Sequence, residues 1–415
     1  MPDRLLAVHA NELGSGLSPS EPGRAAPFWK QGRNVVFNDG HVASELGQSI
    51  MFFTQQQEPI TGIKSTNIDG VPVVFFGTLT SLYRWDEVNG IVDLTRIDGL
   101  SAKVPYTGTV HNPWQWARWG TWMVASNGVD PVQVYKNTGK FVELSAPFTF
   151  AKLLYSLDTH LLVLNTSDGD NIVKWSDLDN IEEWATTVSN DAGEKSMRNL
   201  DSGIISVEKL GDTIVAYTNN EAFAVNYIGR PYVFGTQFLM EGFGPAGINS
   251  VAVVDKRHFG FGRASVWVTD GLSVNYIQSP AMFDFLYRDQ ATRYDKERPE
   301  LVLGFHDRIK SSVCFYYATE DSDSQNIGVA FNYKTLAWTV LAYGRTAVDD
   351  SGVFPFCLAG DSLGNIYQQS IEDAPPATSG ATAVNLTSTQ YTITTAIGEG
   401  GIGEGGIGGY DNGTG

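Results

Sequence analysis

The sequence predicts an all-β chain: a β-propeller of six or seven blades with an extended N-terminal arm and a C-terminal extension. Three observations carry this. First, one hairpin recurs. An apolar run leads through a polar turn to a second strand ending in an aromatic, as in Val73-Val74-Phe75-Phe76-Gly77 to Leu82-Tyr83-Arg84-Trp85. The form returns at 122–124 to 132–135, 161–164 to 172–175, 214–217 to 224–227, 266–268 to 274–276, 313–317 to 329–333, and 356–358 to 366–367. Second, the closing aromatics Trp85, Tyr135, Trp175, Tyr227, Tyr276, Tyr333 and Tyr367 lie 34 to 57 residues apart, the length of one four-stranded blade. They are expected at equivalent places in successive blades. A lone hairpin cannot bury its apolar face, so neighbours must pack radially around a channel. Third, aromatic content is 12%, charged content only 18%, and glycines number 44. Short strands joined by Gly, Asn and Asp turns give that balance; long helices do not. At 415 residues the chain also exceeds one ordinary core, which favours a repeat architecture or two domains.

In chain order, residues 1–54 read as an N-terminal arm and hairpin. The first 27 are rich in Gly, Ser, Pro and Ala and need a partner surface or the propeller rim to become ordered. Asn34-Val35-Val36-Phe37 and His41-Val42-Ala43 flank the turn residues Asn38-Asp39-Gly40, a hairpin signature. Residues 55–370 hold the recurring hairpins. One segment near 280–298 breaks the rhythm: 280–290 spaces apolar residues at a helical period, with Ser279 suited to an N-cap and Pro280 to the first turn. A short helix plugged between two blades is expected there. Residues 371–415 form a C-terminal extension: Pro- and Ser-rich, then β-capable over 386–396, then a glycine repeat, Ile397-Gly398-Glu399-Gly400-Gly401 recurring at 402–406. Such a tail has no core of its own and is flexible unless captured.

The formal net charge of −18 runs against a protein that grips nucleic acid, because phosphate neutralisation by Lys and Arg supplies most of that affinity. Two readings of the acidity stand: solubility, or a surface past which DNA moves without sticking. Cys314 and Cys357, the only cysteines, sit in apolar strands and read as small buried hydrophobes. No signal peptide and no apolar run of spanning length is evident, so synthesis in the cytoplasm is expected and the sequons at Asn165 and Asn385 are chance.

No catalytic, cofactor-binding or metal residue is assigned. Gly242-Phe243-Gly244-Pro245-Ala246-Gly247 satisfies G-x-G-x-x-G, but a strand-like run at 248–254 follows it where a dinucleotide site needs a helix. The acidic clusters at 168–171 and 320–324 fall at hairpin tips, where turn geometry alone calls for Asp, Ser and Gly, and lack the spacing of a calcium loop. The histidines His9, His41, His111, His160, His258 and His306 show no ligand spacing; the sequence leaves open only a triad assembled in space. Trp114, Trp116, Trp119 and Trp122 are dense enough to suggest sugar or base stacking, yet packing between blades accounts for them. Trp114 and Trp116 should share one face of a strand.

Several stretches, in order, resemble the tail nozzle (tail tubular protein B, tail hub) family of short-tailed bacteriophages. They are Leu17-Ser18-Pro19, the run Trp29-Lys30-Gln31-Gly32-Arg33-Asn34 through Gly40, and Gly47; then Trp175-Ser176-Asp177 with Glu183-Trp184. Gly242 to Ser250, Val266-Trp267-Val268-Thr269-Asp270-Gly271, the helix-like insert, 313–317, and Asn332-Tyr333 with Trp338-Thr339 complete the series. The resemblance covers about residues 13–370; the glycine-repeat tail is outside it. It implies a structural virion protein without catalytic residues: a homohexameric ring of propellers below the portal and adaptor protein, with fibres or other tail proteins outside. Genomic DNA would pass through its lumen during ejection without specific binding. The implied location is the virion tail, assembled in the host cytoplasm. The competing reading is a cytoplasmic propeller serving as a protein-interaction platform. A propeller hydrolase or lyase would require a polar cluster at the mouth of the channel.

Overall fold

A computed structural model describes residues 34–38, 41–44, 46–53, 57–157, 159–197, 200, 202–371, 383–387 and 392–396. The arm expected over 1–27 and the glycine repeat lie outside the described residues. β1 (Val35–Asn38) and β2 (His41–Ser44) form a hairpin, and β3 (Gly47–Phe53) follows. Blade one comprises β4 (Gly62–Ile68), β5 (Val71–Gly77), β6 (Leu82–Asp86) and β7 (Gly90–Asp93). Blade two comprises β8 (Gln115–Trp119), β9 (Trp122–Ser126), β10 (Gln133–Tyr135) and β11 (Val142–Glu143). Blade three comprises β12 (Ala151–Ser156), β13 (Leu161–Thr166), β14 (Gly169–Trp175) and β15 (Gly193–Ser196). Blade four comprises β16 (Ser206–Leu210), β17 (Thr213–Tyr217), β18 (Glu221–Gly229) and β19 (Val233–Glu241). Blade five comprises β20 (Val251–Val254), β21 (Arg257–Phe261), β22 (Val266–Thr269) and β23 (Val274–Tyr276). Helix α1 (Pro280–Tyr287) precedes blade six, which comprises β24 (Leu303–Asp307), β25 (Ser312–Tyr317), β26 (Ile327–Asn332) and β27 (Ala337–Leu341). Blade seven comprises β28 (Ala347–Asp349), β29 (Leu358–Gly360) and β30 (Asn365–Ile371), completed by β3. A separate hairpin, β31 (Ala383–Thr387) and β32 (Thr392–Ala396), follows.

The first strand of each blade lies against the first strand of the next, round to β28 against β4, so the ring closes. Its seven apolar clusters correspond one to one with the seven interfaces between neighbouring blades. This explains why the middle strands read as unbroken apolar runs. In β5, Val73 and Phe75 face blade two while Val74 and Phe76 face blade seven. In β13, Leu161 and Val163 face blade two while Leu162 and Leu164 face blade four. A strand buried on both faces shows no polar alternation. Each such side chain contributes about 1.5–3 kcal/mol on burial.

Six of the seven recurring hairpins are the two middle strands of a blade. Blade five departs: residues 266–276 form its outer hairpin, β22–β23, so Tyr276 lies in the fourth strand and is not equivalent to the other six aromatics. Its second strand, β21, was hidden because Arg257, His258 and Gly260 interrupt the apolar run. Gly260 is forced by packing: a Cβ there would meet the Trp267 ring at about 2.0 Å.

The β3 strand belongs to the propeller, although the sequence places it with the N-terminal segment. It pairs antiparallel with β30, Ile50 opposite Tyr367 and Phe52 opposite Ile366. Phe52 then stacks on Trp85 of blade one, with centroids 5.1 Å apart. The buried Arg345 guanidinium donates to Gln48 Oε1 and to Gly344 O (2.7 Å), and lies over the Tyr367 ring at 4.2 Å. One chain end thus supplies the outer strand of the blade made by the other, and separating the two ends requires breaking a sheet. Helix α1 follows the expected signals: the Ser279 hydroxyl accepts from Met282 N (3.2 Å), Pro280 opens the first turn, and Met282 and Leu286 fill the interface of blades five and six.

Candidate functional site

The channel is bridged at one mouth. Pro59, Thr61, Val110, Pro113, Asn249 and Glu300 help line a cavity of about 10 Å³ there, room for about one water. The segment between β7 and β8 reaches across: His111 Nδ1 meets Glu300 Oε1 at 2.5 Å, and Gln115 Nε2 donates to Asn249 Oδ1 at 2.9 Å. Blade two is thereby clasped to the connection entering blade five and the one entering blade six.

Deeper inside, the third residues of three inner strands are charged: Lys64 on β4, Glu208 on β16 and Asp349 on β28, with Asp350 next in sequence. Asp349 accepts from Ser65 N (3.1 Å), from the Ser65 hydroxyl and from Ser351 Oγ (2.8 Å), with Lys64 Nζ 3.7 Å away. Asp350 accepts from His306 N at 2.8 Å. These carboxylates stitch blade seven to blades one and six. Glu208 differs, because blade four is not adjacent to blade seven or one, so its electrostatic partners Asp350 and Lys64 act on it across the channel. Burial pushes the Glu208 carboxyl up to about 8; Asp350 adds to the push and Lys64 opposes it. Burial likewise raises Asp350, helped by Asp349 and opposed by the His306 N–H, Lys64 and Arg308. Sequence reasoning missed this cluster because its members lie on separate blades. The available signal was a charge within a short inner strand, as in Ser206-Val207-Glu208.

The residues singled out from sequence take structural places. Trp114 and Trp116 pack together at the interface of blades one and two, while Trp119 and Trp122 pack on the opposite face toward blade three. Trp114 Nε1 donates to Thr78 O at 2.8 Å. The Gly242–Gly247 stretch connects blades four and five. Gly244 and Gly247 are needed because a Cβ would strike Thr218 O at 2.3 Å and Pro299 O at 2.1 Å. Asp168 sits at the β13–β14 tip, 2.6 Å from Lys174 Nζ; Glu320 and Asp323 sit at the β25–β26 tip, paired with Arg293 and Arg298. His258 is buried between Tyr217 OH (2.7 Å) and Lys209 O (2.9 Å), and burial pushes its imidazole down to about 4. His306 bonds Tyr333 OH at 3.0 Å, and His160 is buried beside Phe234. His9 is outside the described residues, and His41 is described only as backbone of β2. Cys314 and Cys357 are both buried, in one cluster between blades six and seven. Among the described residues no group of three or more His, Cys, Asp or Glu is placed to hold a metal ion. No helix among them is long and apolar enough to cross a membrane.

The second candidate region is the rim of blade four. Its third and fourth strands, β18 and β19, have nine residues each; Tyr227, Ile228 and Phe238 are exposed on them and Tyr232 in the turn between them. Beside them, Lys195, Met197, Phe223, Thr236 and Phe238 help line an open groove of about 580 Å³ between blades three and four.

No protein-family model matches the chain, and no curated protein matches it. Among solved structures, the computationally designed Ika8 protein aligns over 78% of this chain and 100% of its own, at 15% identity and a TM-score of 0.43.

Proposed function

We propose that this chain is a structural virion protein, the tail nozzle or hub of a short-tailed bacteriophage, which closes the tail and conducts the genome during ejection. The observation that carries the reading is the order of the nozzle-like stretches. Within the described residues they fall in sequence on structural positions of one propeller. Ser176 Oγ accepts from Leu161 N (3.0 Å), Asp177 Oδ1 accepts from Asp191 N (2.7 Å), and Trp184 fills the interface of blades two and three. Gly244 and Gly247 allow the tight passage between blades four and five, and Trp338 packs on Phe331.

In this reading the propeller is a building block. Its own channel is bridged by contacts between distant blades, so DNA passes through the lumen of a homohexameric ring, with the portal adaptor above and fibres or other tail proteins outside. The net charge of −18 suits a wall that DNA slides past, because cationic contacts would hold phosphates. Asp349 and Asp350 serve to fasten strands, and no turnover is expected. The interaction-platform reading draws on the exposed blade-four rim alone.

Mass photometry of the purified chain tests the proposal. A particle of six copies, joined by an adaptor protein when one is added, is expected. A chain that stays single at every concentration would favour the interaction platform.

A further inference from the structure

The outer edges of the blades are unequal. β7 has four residues, β11 two, β15 four, β23 three and β27 five, and edges that short offer little to a pairing strand. Blade six is further occupied at its rim: Asn34 N donates to Val340 O and Asn34 Oδ1 accepts from Ala342 N, both at 2.8 Å. Blade seven ends in β3, supplied from the other end of the chain. β3, with seven residues, and β19, with nine, are the two long edges to which, among the described residues, no strand pairs, and β19 is the longer. Its sequence, Val233-Phe234-Gly235-Thr236-Gln237-Phe238-Leu239-Met240-Glu241, carries one charge, at its last residue.

A matching segment exists elsewhere in the chain. Residues 374–398 contain no charged side chain although the protein carries −18, and within them β31 and β32 pair with each other alone among the named sheets. A two-stranded hairpin is marginal in water and gains from a third strand. We propose that the β31–β32 hairpin of one copy adds to the free edge of β19 in a neighbouring copy, extending blade four's sheet across the subunit boundary. Backbone hydrogen bonds supply the affinity of such strand addition, and the exposed aromatics beside the edge supply the side-chain contacts. Apart from Glu241 the sequences of the three strands are uncharged, so two strongly acidic molecules meet where repulsion is least.

Reach favours a neighbouring copy. The connection 372–382 has eleven residues and spans at most about 40 Å when fully extended. Blade four lies three blades from blade seven. With four strands at about 4.8 Å spacing around a narrow channel, the path along the rim is roughly 50 Å. A head-to-tail contact of this kind closes into a ring when its rotation permits. The proposal rests on the multi-copy reading and specifies the contact within it.

The test is hydrogen–deuterium exchange on the full chain, comparing dilute single particles with concentrations at which mass photometry counts assemblies. Amides of 233–241 and 383–396 should slow together on assembly, by about tenfold or more. Phe238→Lys, which charges an exposed edge position, and a chain ending at residue 371, which keeps all seven blades complete, should each shift assemblies to single particles while keeping the circular dichroism of the parent. Assemblies in which 233–241 exchange unchanged, or slow without 383–396, overturn the proposal and leave the ring reading standing. A chain that never assembles overturns both.

Discussion

Blades seven and four end in opposite ways. Blade seven's sheet is finished by β3, a strand from some 300 residues away that brings Phe52 onto Trp85 and Gln48 onto Arg345. Blade four finishes itself with a nine-residue strand whose outer edge nothing among the described residues covers. The first edge is an internal seam, and its residues hold the ring together. The second belongs to the surface, and its residues are free to serve another molecule. The same aromatic residue type therefore carries stability at one edge and, in the contact proposed above, recognition at the other.

Cutting the seam gives the largest effect. A chain starting at residue 55 leaves blade seven with three strands and uncovers the apolar faces that Phe52 seals, so it should lose the cooperative thermal transition seen by near-ultraviolet circular dichroism. The point change Phe52→Ala should cost about 3–5 kcal/mol in urea unfolding, as for other buried aromatics. A cost below about 1 kcal/mol would mean that β3 is not a structural part of the propeller.

Inside the channel, Asp349→Ala leaves Ser65 and Ser351 without their acceptor on the seam between blades seven and one. About 1–3 kcal/mol of destabilisation is expected, read from the same denaturation curves. Glu208→Gln should act through pH. The folded carboxyl titrates near 8 and the unfolded one near 4.5, so the folded state holds the extra proton between those values. The stability from this group is present below about 4.5 and is lost as pH rises through 8. The amide should flatten the decline in melting temperature between pH 5 and 8; an unchanged profile would place Glu208 in open water. His258 has the opposite sign: its folded value near 4 lies below the usual 6.5, so its contribution is present above 6.5 and lost as pH falls through 4. The smallest effect belongs to the open edge: Phe238→Ser should change unfolding free energy by less than about 0.5 kcal/mol, as at other surface positions.

What the sequence made legible follows from these locations. Middle strands such as β5, β13 and β25 are buried on both faces, so they appear as apolar runs, and six of the seven blades could be phased from them. Blade five could not, because Gly260 yields its side-chain space to Trp267 and His258 is kept neutral in the interior. The β3 closure was invisible because its pairing partner is at the far end of the chain. The acids of the channel were invisible because Lys64, Glu208 and Asp349 converge only once the ring has formed. Turn chemistry was read correctly at Asp168 and Ser279, where the signal is local.

Electron cryomicroscopy of the purified full-length chain tests the central claim most directly. The account predicts six seven-bladed propellers around a shared lumen wide enough for a DNA duplex, with acidic side chains in excess on its wall and each propeller's own channel bridged. Isolated propellers at every concentration, or a ring whose lumen is basic or too narrow for a duplex, would contradict it.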